Sequence, residues 1–276
     1  MSNLAIVNGV VSDSISVYDR GLAYGDGVFE TVLAKDGKCL LWDRHLQRLK
    51  KSLAQLQIVT DGLDNLYSTL SPHLQSEGEQ VVKIIVTRGN SQRGYTVPDE
   101  NTSNTIIYIS EKREPAQDWE KSGVKAGICK TRLAYQPLLA GLKHLNRLEQ
   151  ILARLELTGY DLQEGIMLGQ DGEVVEAIMH NLFFVKNSEL FTPDLSQCGV
   201  TGIMRTFIIE NCQQLGLPVK IGRFSVEQLL SADEIFLSNC INVIWPICEL
   251  EGTRFEIGAV TCRLQDKVVE KMYQYV

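Results

Sequence analysis

Lys143, in the stretch GLKHLNRLEQ at 141–150, is placed to act as a nucleophile. Leu145, Leu148, Ile151, Leu152 and Leu155 follow it at spacings of three and four, the period of an amphipathic helix. The pattern predicts a helix whose positive end lies at or just after Lys143. A cation is disfavoured there by roughly 0.3–1 kcal/mol, and the neutral amine is the form that attacks a carbonyl. The same spacing also describes a solvated lysine ahead of a core helix. GVTGIMRT, at 199–206, predicts a helix start with Thr201 as N-cap and Gly202 freeing the backbone before Ile203, Phe207 and Ile208. Outward N–H groups at such a start suit a phosphate, although an ordinary capped helix reads the same way. Arg48, one turn after Arg44 and off the Leu46/Leu49 stripe, is a second anion ligand or a solvated helix face. Glu176 ends the strand GEVVEA. Buried, it needs a partner such as a protonated ring nitrogen, because an isolated charge loses its hydration; at a sheet edge it simply faces water.

Together these groups are what pyridoxal 5'-phosphate requires: an amine for its aldehyde, grips for its phosphate and a carboxylate for its pyridine nitrogen, so that the ring acts as an electron sink. The four histidines, 45, 73, 144 and 180, lack metal-ligand spacing, and no metal is expected. His45 and His73 read as surface residues, and His144 as a neighbour shaping the surroundings of Lys143. GLAYGDG at 21–27 does not match the dinucleotide fingerprint and reads as a turn feeding a strand from Val28.

The elements that position these residues form a mixed α+β pattern rather than a regular βαβ series. LAIVNGV reads as a strand, and VFETVLAKDGKCLLW as a hairpin turning at Asp36-Gly37. Asp43 is a candidate cap for a helix burying Leu46, Leu49, Leu53 and Leu56. A helix between Leu63 and Leu74 and strands VVKIIVTRG and TIIYISEKR complete a first domain, 1–113. The polar run KREPAQDWEKS contains the linker, 114–122, and a second domain spans 123–276 and carries the lysine and phosphate site. Its strand VKAGICKTRLAY leads to the Lys143 helix. Hairpins at Asp171-Gly172 and Asn187-Ser188, a helix over 201–215, strands VKIGRF, EIFLSNC and NVIWPICEL, and a closing helix with Val260, Leu264, Val268 and Met272 follow.

The chain has 276 residues and a formal net charge of −7, which argues against broad nucleic-acid binding. Its seven cysteines are scattered and never paired as C-x-x-C, as expected of reduced thiols in the cytoplasm. No signal peptide and no apolar run near the ~20 residues of a membrane helix are evident.

DRGLAYGDGVFETV, RHLQRL, GLKHLNRLEQ, EGIMLGQDGEVVEAIMHNLFFV, LFTPDLSQCGVTGIMR and ADEIFLSNCINVIWPI, in this order along nearly the whole chain, resemble the fold-type IV pyridoxal phosphate enzymes. These include branched-chain and D-amino-acid aminotransferases and the aminodeoxychorismate lyases. KHLNRLEQ, RGYT at 93–96 and GIMR look most like the lyases, and the glycine pair and N-Y-x-x-S that follow the lysine in aminotransferases are missing. The resemblance implies a two-domain fold like that of D-amino acid aminotransferase, a cofactor at the domain interface and a homodimer. It implies that Lys143 bonds to the cofactor, Arg48 and the backbone of Ile203 and Met204 hold its phosphate, and Glu176 meets its pyridine nitrogen. Thr201, Gly202, Asn239 and Cys240 fall beside the phosphate; Cys240 stands where many relatives have threonine, a stronger hydrogen-bond donor. Asn242 flanks Cys240 without an assigned role. Arg88, Arg93, Tyr95 and His144 are the candidate substrate contacts, the arginines for carboxylates. The implied activity is conversion of 4-amino-4-deoxychorismate into 4-aminobenzoate, a folate precursor, and pyruvate. The rival activities are transamination of D-amino or branched-chain amino acids and cofactor or partner binding without turnover.

Overall fold

A computed structural model describes residues 4–91, 94–97 and 102–274. The chain divides into two compact units. One takes in the chain up to Arg113, the segment Lys143–Asn146 and the end of the chain from Met272; the other comprises Glu114–Leu142 and Arg147–Lys271. Lys143–Asn146 group with the first unit because they pair with one of its strands, and the segment from Glu114 groups with the second.

The first unit contains strands β1 (Leu4–Val7) and β2 (Val10–Val11), helix α1 (Arg20–Tyr24), strands β3 (Gly27–Lys35) and β4 (Lys38–Cys39), helices α2 (Trp42–Gln55) and α3 (Leu66–Leu70), and strands β5 (Glu79–Thr87) and β6 (Asn104–Glu111). Among the described residues its sheet runs β2-β1-β6-β5-β3-β4. LAIVNGV is not one strand. Asn8 (φ 50°) and Gly9 (φ 81°) turn it into a hairpin, as an Asn-Gly pair with both residues left-handed does. Asp36 (φ 48°) and Gly37 (φ 81°) make the expected turn between β3 and β4. Helix α2 begins after Leu41, whose left-handed backbone (φ 53°) supplies no side-chain cap. Asp43 lies in the first turn instead, where its charge still complements the helix dipole. Leu49 and Leu53 of α2 are buried against Val28, Val32, Val82 and Ile84 of the sheet, and burying each contributes about 1.5–3 kcal/mol.

The second unit contains helix α4 (Trp119–Ser122), strand β7 (Val124–Leu133), helix α5 (Leu148–Glu156), strands β8 (Glu164–Gly169), β9 (Val174–Ala177), β10 (Asn181–Lys186) and β11 (Glu189–Pro193), helix α6 (Ile203–Gln214), strand β12 (Val219–Gly222), helix α7 (Val226–Leu230), strands β13 (Glu234–Asn239), β14 (Val243–Leu250) and β15 (Thr253–Arg254), and helix α8 (Ala259–Gln274). Among the described residues the sheet order is β12-β11-β10-β13-β14-β7-β8-β9, with β15 against β14. The expected linker is not free chain. Its Trp119 starts α4 and meets Trp245 edge-on at 5.0 Å between ring centroids, which fixes the segment to the sheet. Leu264, Val268 and Met272 form the buried stripe of α8, whereas Val260 is half-buried. No helix among the described residues is long and apolar enough to cross a membrane.

Two expectations about the Lys143 region fail. Helix α5 starts at Leu148, so Lys143 stands well ahead of its positive end. The stripe is also not core: Leu148, Ile151, Leu152 and Leu155 are 73, 53, 54 and 61 % exposed. Ala153 is the α5 residue that is buried. Periodicity identifies an apolar face but does not say what covers it.

Candidate functional site

Strand β3 organises the chemistry of the first unit. Its Phe29 N–H donates to the Lys143 carbonyl at 2.9 Å, and Leu145 N–H donates to the Gly27 carbonyl at 3.0 Å. Val28 and His144 thus form an antiparallel bridge. Main-chain pairing, not a helix terminus, positions Lys143. Its Nζ lies 4.5 Å from the centroid of the Phe29 ring, and the residue is half-buried. The Phe29 face favours an ammonium there. His144 is half-buried in the bridge beside it.

Glu30, the next residue of β3, shares the buried face with Val28 and Val32. A carboxylate on that face requires partners, and α2 supplies them. Arg48 forks onto it, Nε to Oε1 at 2.8 Å and Nη2 to Oε2 at 2.6 Å, and His45 Nδ1 lies 2.7 Å from Oε2. Arg48 is therefore not a solvated helix residue, and His45, read as surface, is 1 % exposed. The sequence signal for Glu30 was available: an acidic residue in the apolar phase of a strand, with arginine and histidine on the buried side of the following helix. Burial alone would raise the Glu30 carboxyl, but the charge and fork of Arg48, with the His45 bond, outweigh it and bring it from 4.5 to about 2. Such a depressed carboxyl stabilises the fold on the order of 3 kcal/mol above pH ~4.5, and this contribution is lost as pH falls towards ~2. Urea unfolding of wild type and Glu30→Gln between about pH 5 and pH 2 reads it. The wild-type advantage is expected to shrink steadily with acidification; a constant difference contradicts the assignment.

The candidate substrate contacts fare unevenly. Arg88 is buried and committed to structure. It forks onto Asp26 (Nε to Oδ2 2.7 Å, Nη2 to Oδ1 3.0 Å) and donates to the carbonyls of Gln57 and Leu56 at 2.8 Å each. That corrects its expected role towards a substrate carboxylate. Burial raises the Asp26 carboxyl, yet Arg88 and Arg20 together hold it below its ordinary value. Arg20 also donates to Ser91 Oγ and to the carbonyls of Gly94 and Thr96, and so ties down the neighbouring loop. Tyr95 is exposed on that loop, with its ring 5.4 Å from that of Tyr24. Arg93 lies outside the described residues.

In the second unit, Glu176 is buried on β9 although β9 ends the sheet. Its Oε2 accepts from Val200 N–H at 2.9 Å and from Asn181 Nδ2 at 3.4 Å. Asn181 also donates to the Val200 carbonyl at 2.9 Å. Arg147 interacts electrostatically with Glu176 and Glu149; burial lowers its affinity for a proton and these carboxylates oppose that effect. Asn181 reaches Glu176 around the turn from β9 to β10, a contact that strand alternation does not reveal, and Arg147 meets Glu176 from outside that hairpin.

Val200 leads directly into α6. The helix cap is Gly202 rather than Thr201, and glycine has no side chain with which to cap it. Thr201 is exposed, while Ile203 and Met204 are buried. A Cβ on Gly202 would approach Asn181 Oδ1 to 1.9 Å, so any other residue there displaces the amide that holds Glu176 and Val200. The first intrahelical bond at this end is from Thr206 N–H to the Gly202 carbonyl, at 3.0 Å. The N–H groups of Ile203, Met204 and Arg205 precede it and present the positive end of a twelve-residue helix. Arg205 backs this turn, donating from Nε to Thr192 Oγ1 at 3.1 Å and from Nη2 to the Pro193 carbonyl at 2.9 Å. Asn239 is occupied by its own turn: Oδ1 accepts from Ile241 and Asn242 N–H at 2.9 and 2.7 Å. Cys240 sits half-buried in that turn. A glycine-capped helix start, preceded closely in the chain by Val200 on a buried carboxylate, suits a phosphorylated cofactor with a basic ring nitrogen.

The amino-transferase class IV family model matches residues 27–250. The crystal structure of 4-amino-4-deoxychorismate lyase from Pseudomonas aeruginosa superimposes with a TM-score of 0.91 at 42 % identity, covering 97 % of this chain and 98 % of that one. An aminodeoxychorismate lyase of Vibrio harveyi is 36 % identical over 94 % of this chain and 97 % of its own length. One from Bacillus subtilis is 30 % identical over 91 % of this chain and 87 % of its own.

Proposed function

Since the chain belongs to the class IV aminotransferase family, of fold-type IV, we infer that it is a pyridoxal phosphate-dependent lyase converting 4-amino-4-deoxychorismate into 4-aminobenzoate and pyruvate. The observation that carries this reading is the pairing of buried Glu176 with the glycine-capped start of α6 through Val200, set beside the likeness to the lyases.

Bound pyridoxal phosphate supplies an aldehyde that links covalently to an amine and a cationic ring that accepts an electron pair. The roles of this chain's residues follow from that chemistry. Lys143 Nζ is the amine that would hold the aldehyde. The free amine takes the proton from the amine-bearing carbon of the substrate ring as general base. The same Nζ, now protonated, gives a proton to the departing pyruvate. Glu176 keeps a proton on the ring nitrogen. The N–H groups of Ile203 and Met204 would grip the phosphate, and Arg48, held by Glu30, is the arginine that the resemblance assigns to that anion. Loss of the enolpyruvyl group makes the six-membered ring aromatic, which drives the reaction forward. 4-Aminobenzoate enters folate synthesis.

The test is a direct comparison of substrates. With added pyridoxal phosphate, the protein is expected to form 4-aminobenzoate from 4-amino-4-deoxychorismate and to show far slower amino transfer from D-alanine to 2-oxoglutarate. Fast transfer with no 4-aminobenzoate would move the chain to the aminotransferase branch.

The same reading assigns a homodimer in the cytoplasm. All seven cysteines are free thiols, in keeping with a reducing compartment. Leu148, Ile151, Leu152 and Leu155 expose one apolar helix face, the kind of surface that marks an interaction site. A second copy of this chain is the occupant we assign. Sedimentation of wild type at micromolar concentration is expected to give a dimer, and Leu152→Glu with Leu155→Glu a species of half that mass. A monomeric wild type excludes the assignment.

A further inference from the structure

A buried histidine in the second unit is unused by the chemistry above. The side chains of His180 and Glu164 are both 0 % exposed, with His180 Nδ1 2.5 Å from Glu164 Oε2. The other oxygen, Oε1, accepts from Gly165 N–H at 3.0 Å. The imidazole lies 5.2 Å from the Trp245 ring, between centroids. Its far nitrogen, Nε2, lies 3.1 Å from Asn242 Nδ2. In this orientation of the Asn242 amide its nitrogen donates, so Nε2 accepts and carries no proton. A carboxylate can only accept, so Nδ1 carries the proton. The two partners together select one neutral tautomer.

What this ring holds is the turn from β13 to β14. Asn242 closes that turn, and Asn239 opens it. Asn239 Nδ2 donates to the Met179 carbonyl at 3.3 Å. The turn is thus clipped at both ends to one dipeptide, Met179-His180. The next residue, Asn181, sends its amide the other way, to Glu176 and Val200. Strand register reinforces the link, since Asn181 pairs with Ser238, the residue before Asn239. Three consecutive residues therefore tie the Cys240 turn to the Glu176 cradle and the start of α6.

We propose that His180 is a positioning residue, fixed as one neutral tautomer between Glu164 and Asn242, which sets the Asn239–Asn242 turn for the cofactor's phosphate. This rests on the functional reading above and deepens it. A hydrogen bond to a buried ring is directional, so its loss frees the turn while the sheet beneath stays intact. Cofactor affinity is what such a loss weakens.

The tautomer is read first, from the imidazole ¹⁵N signals of protein labelled at histidine. His180 is expected to show a pyrrole-like Nδ1 and a pyridine-like Nε2 at neutral pH; a doubly protonated ring or the opposite tautomer overturns the proposal. Function is read in Asn242→Leu, which removes the donor at a half-buried position and leaves the Glu164–His180 pair untouched. Its apparent Kd for pyridoxal phosphate, from absorbance titration of the apoprotein, is expected to rise about tenfold, the worth of one hydrogen bond. KM for 4-amino-4-deoxychorismate at saturating cofactor is expected to hold within about twofold. His180→Gln, which keeps an acceptor, is expected to recover more affinity than His180→Phe. Wild-type cofactor affinity in Asn242→Leu sinks the role of His180 alone. A wild-type protein that takes up no pyridoxal phosphate sinks the functional reading and this role with it.

Discussion

Lys143→Ala is expected to lower 4-aminobenzoate formation by at least about 10³-fold. General-base assistance alone accounts for roughly 10²–10⁴-fold in rate, and loss of the covalent link to the cofactor adds to it. The substitution isolates chemistry from folding unusually well. The contact that fixes this segment is the Lys143 carbonyl accepting from Phe29 N–H, and alanine keeps that carbonyl. The ammonium over the Phe29 ring is among the contacts removed, worth about 0.5–1 kcal/mol at a partly exposed site. A folded variant, checked by its circular dichroism, is expected to have lost turnover. Turnover within tenfold of wild type would remove the lysine from the mechanism.

Glu176→Gln is expected to cost about 10²- to 10³-fold in turnover. Glutamine keeps an oxygen for the Val200 N–H that Glu176 Oε2 now accepts, so the approach to α6 retains its anchor. It cannot supply the negative charge that holds a proton on a pyridine nitrogen. Removing one member of a buried charge pair typically costs 3–5 kcal/mol, which corresponds to a rate effect of this size or larger. Single-turnover measurement with saturating cofactor separates chemistry from cofactor loss. A variant that turns over at more than half the wild-type rate contradicts the role given to Glu176.

The sequence was most informative where structure is local. Asp36-Gly37 announces a hairpin because both residues tolerate the left-handed backbone that the turn needs. Asn8-Gly9 carries the same signal, but the apolar residues around it read as continuous strand. Leu49 and Leu53 are buried as the α2 stripe predicts. Lys143 was found for a reason that does not hold. It was placed at a helix start by the leucines that follow, whereas its position comes from pairing with β3, over a hundred residues earlier in the chain. No local pattern carries such information. The leucines of α5 illustrate a second limit: spacing shows that a face is apolar, not whether this chain covers it. Arg88 illustrates a third. An arginine on a polar loop looks available for a substrate until the fold supplies Asp26 and two carbonyls for it. Glu30 shows a fourth: a charge in the apolar phase of a strand signals burial, but its partners on α2 emerge only with the fold.

Gly202 bears on how this protein can be made more robust. A standard route to a hardier enzyme is to place serine, aspartate or asparagine at the start of each helix, for a gain of about 1 kcal/mol per site. At α6 that route is closed, since the Asn181 amide already occupies the volume of any side chain at position 202. Directed evolution under heat should therefore leave this position untouched and accumulate its gains elsewhere. Storage life should depend on keeping the cofactor in excess, which lends the fold its own binding energy.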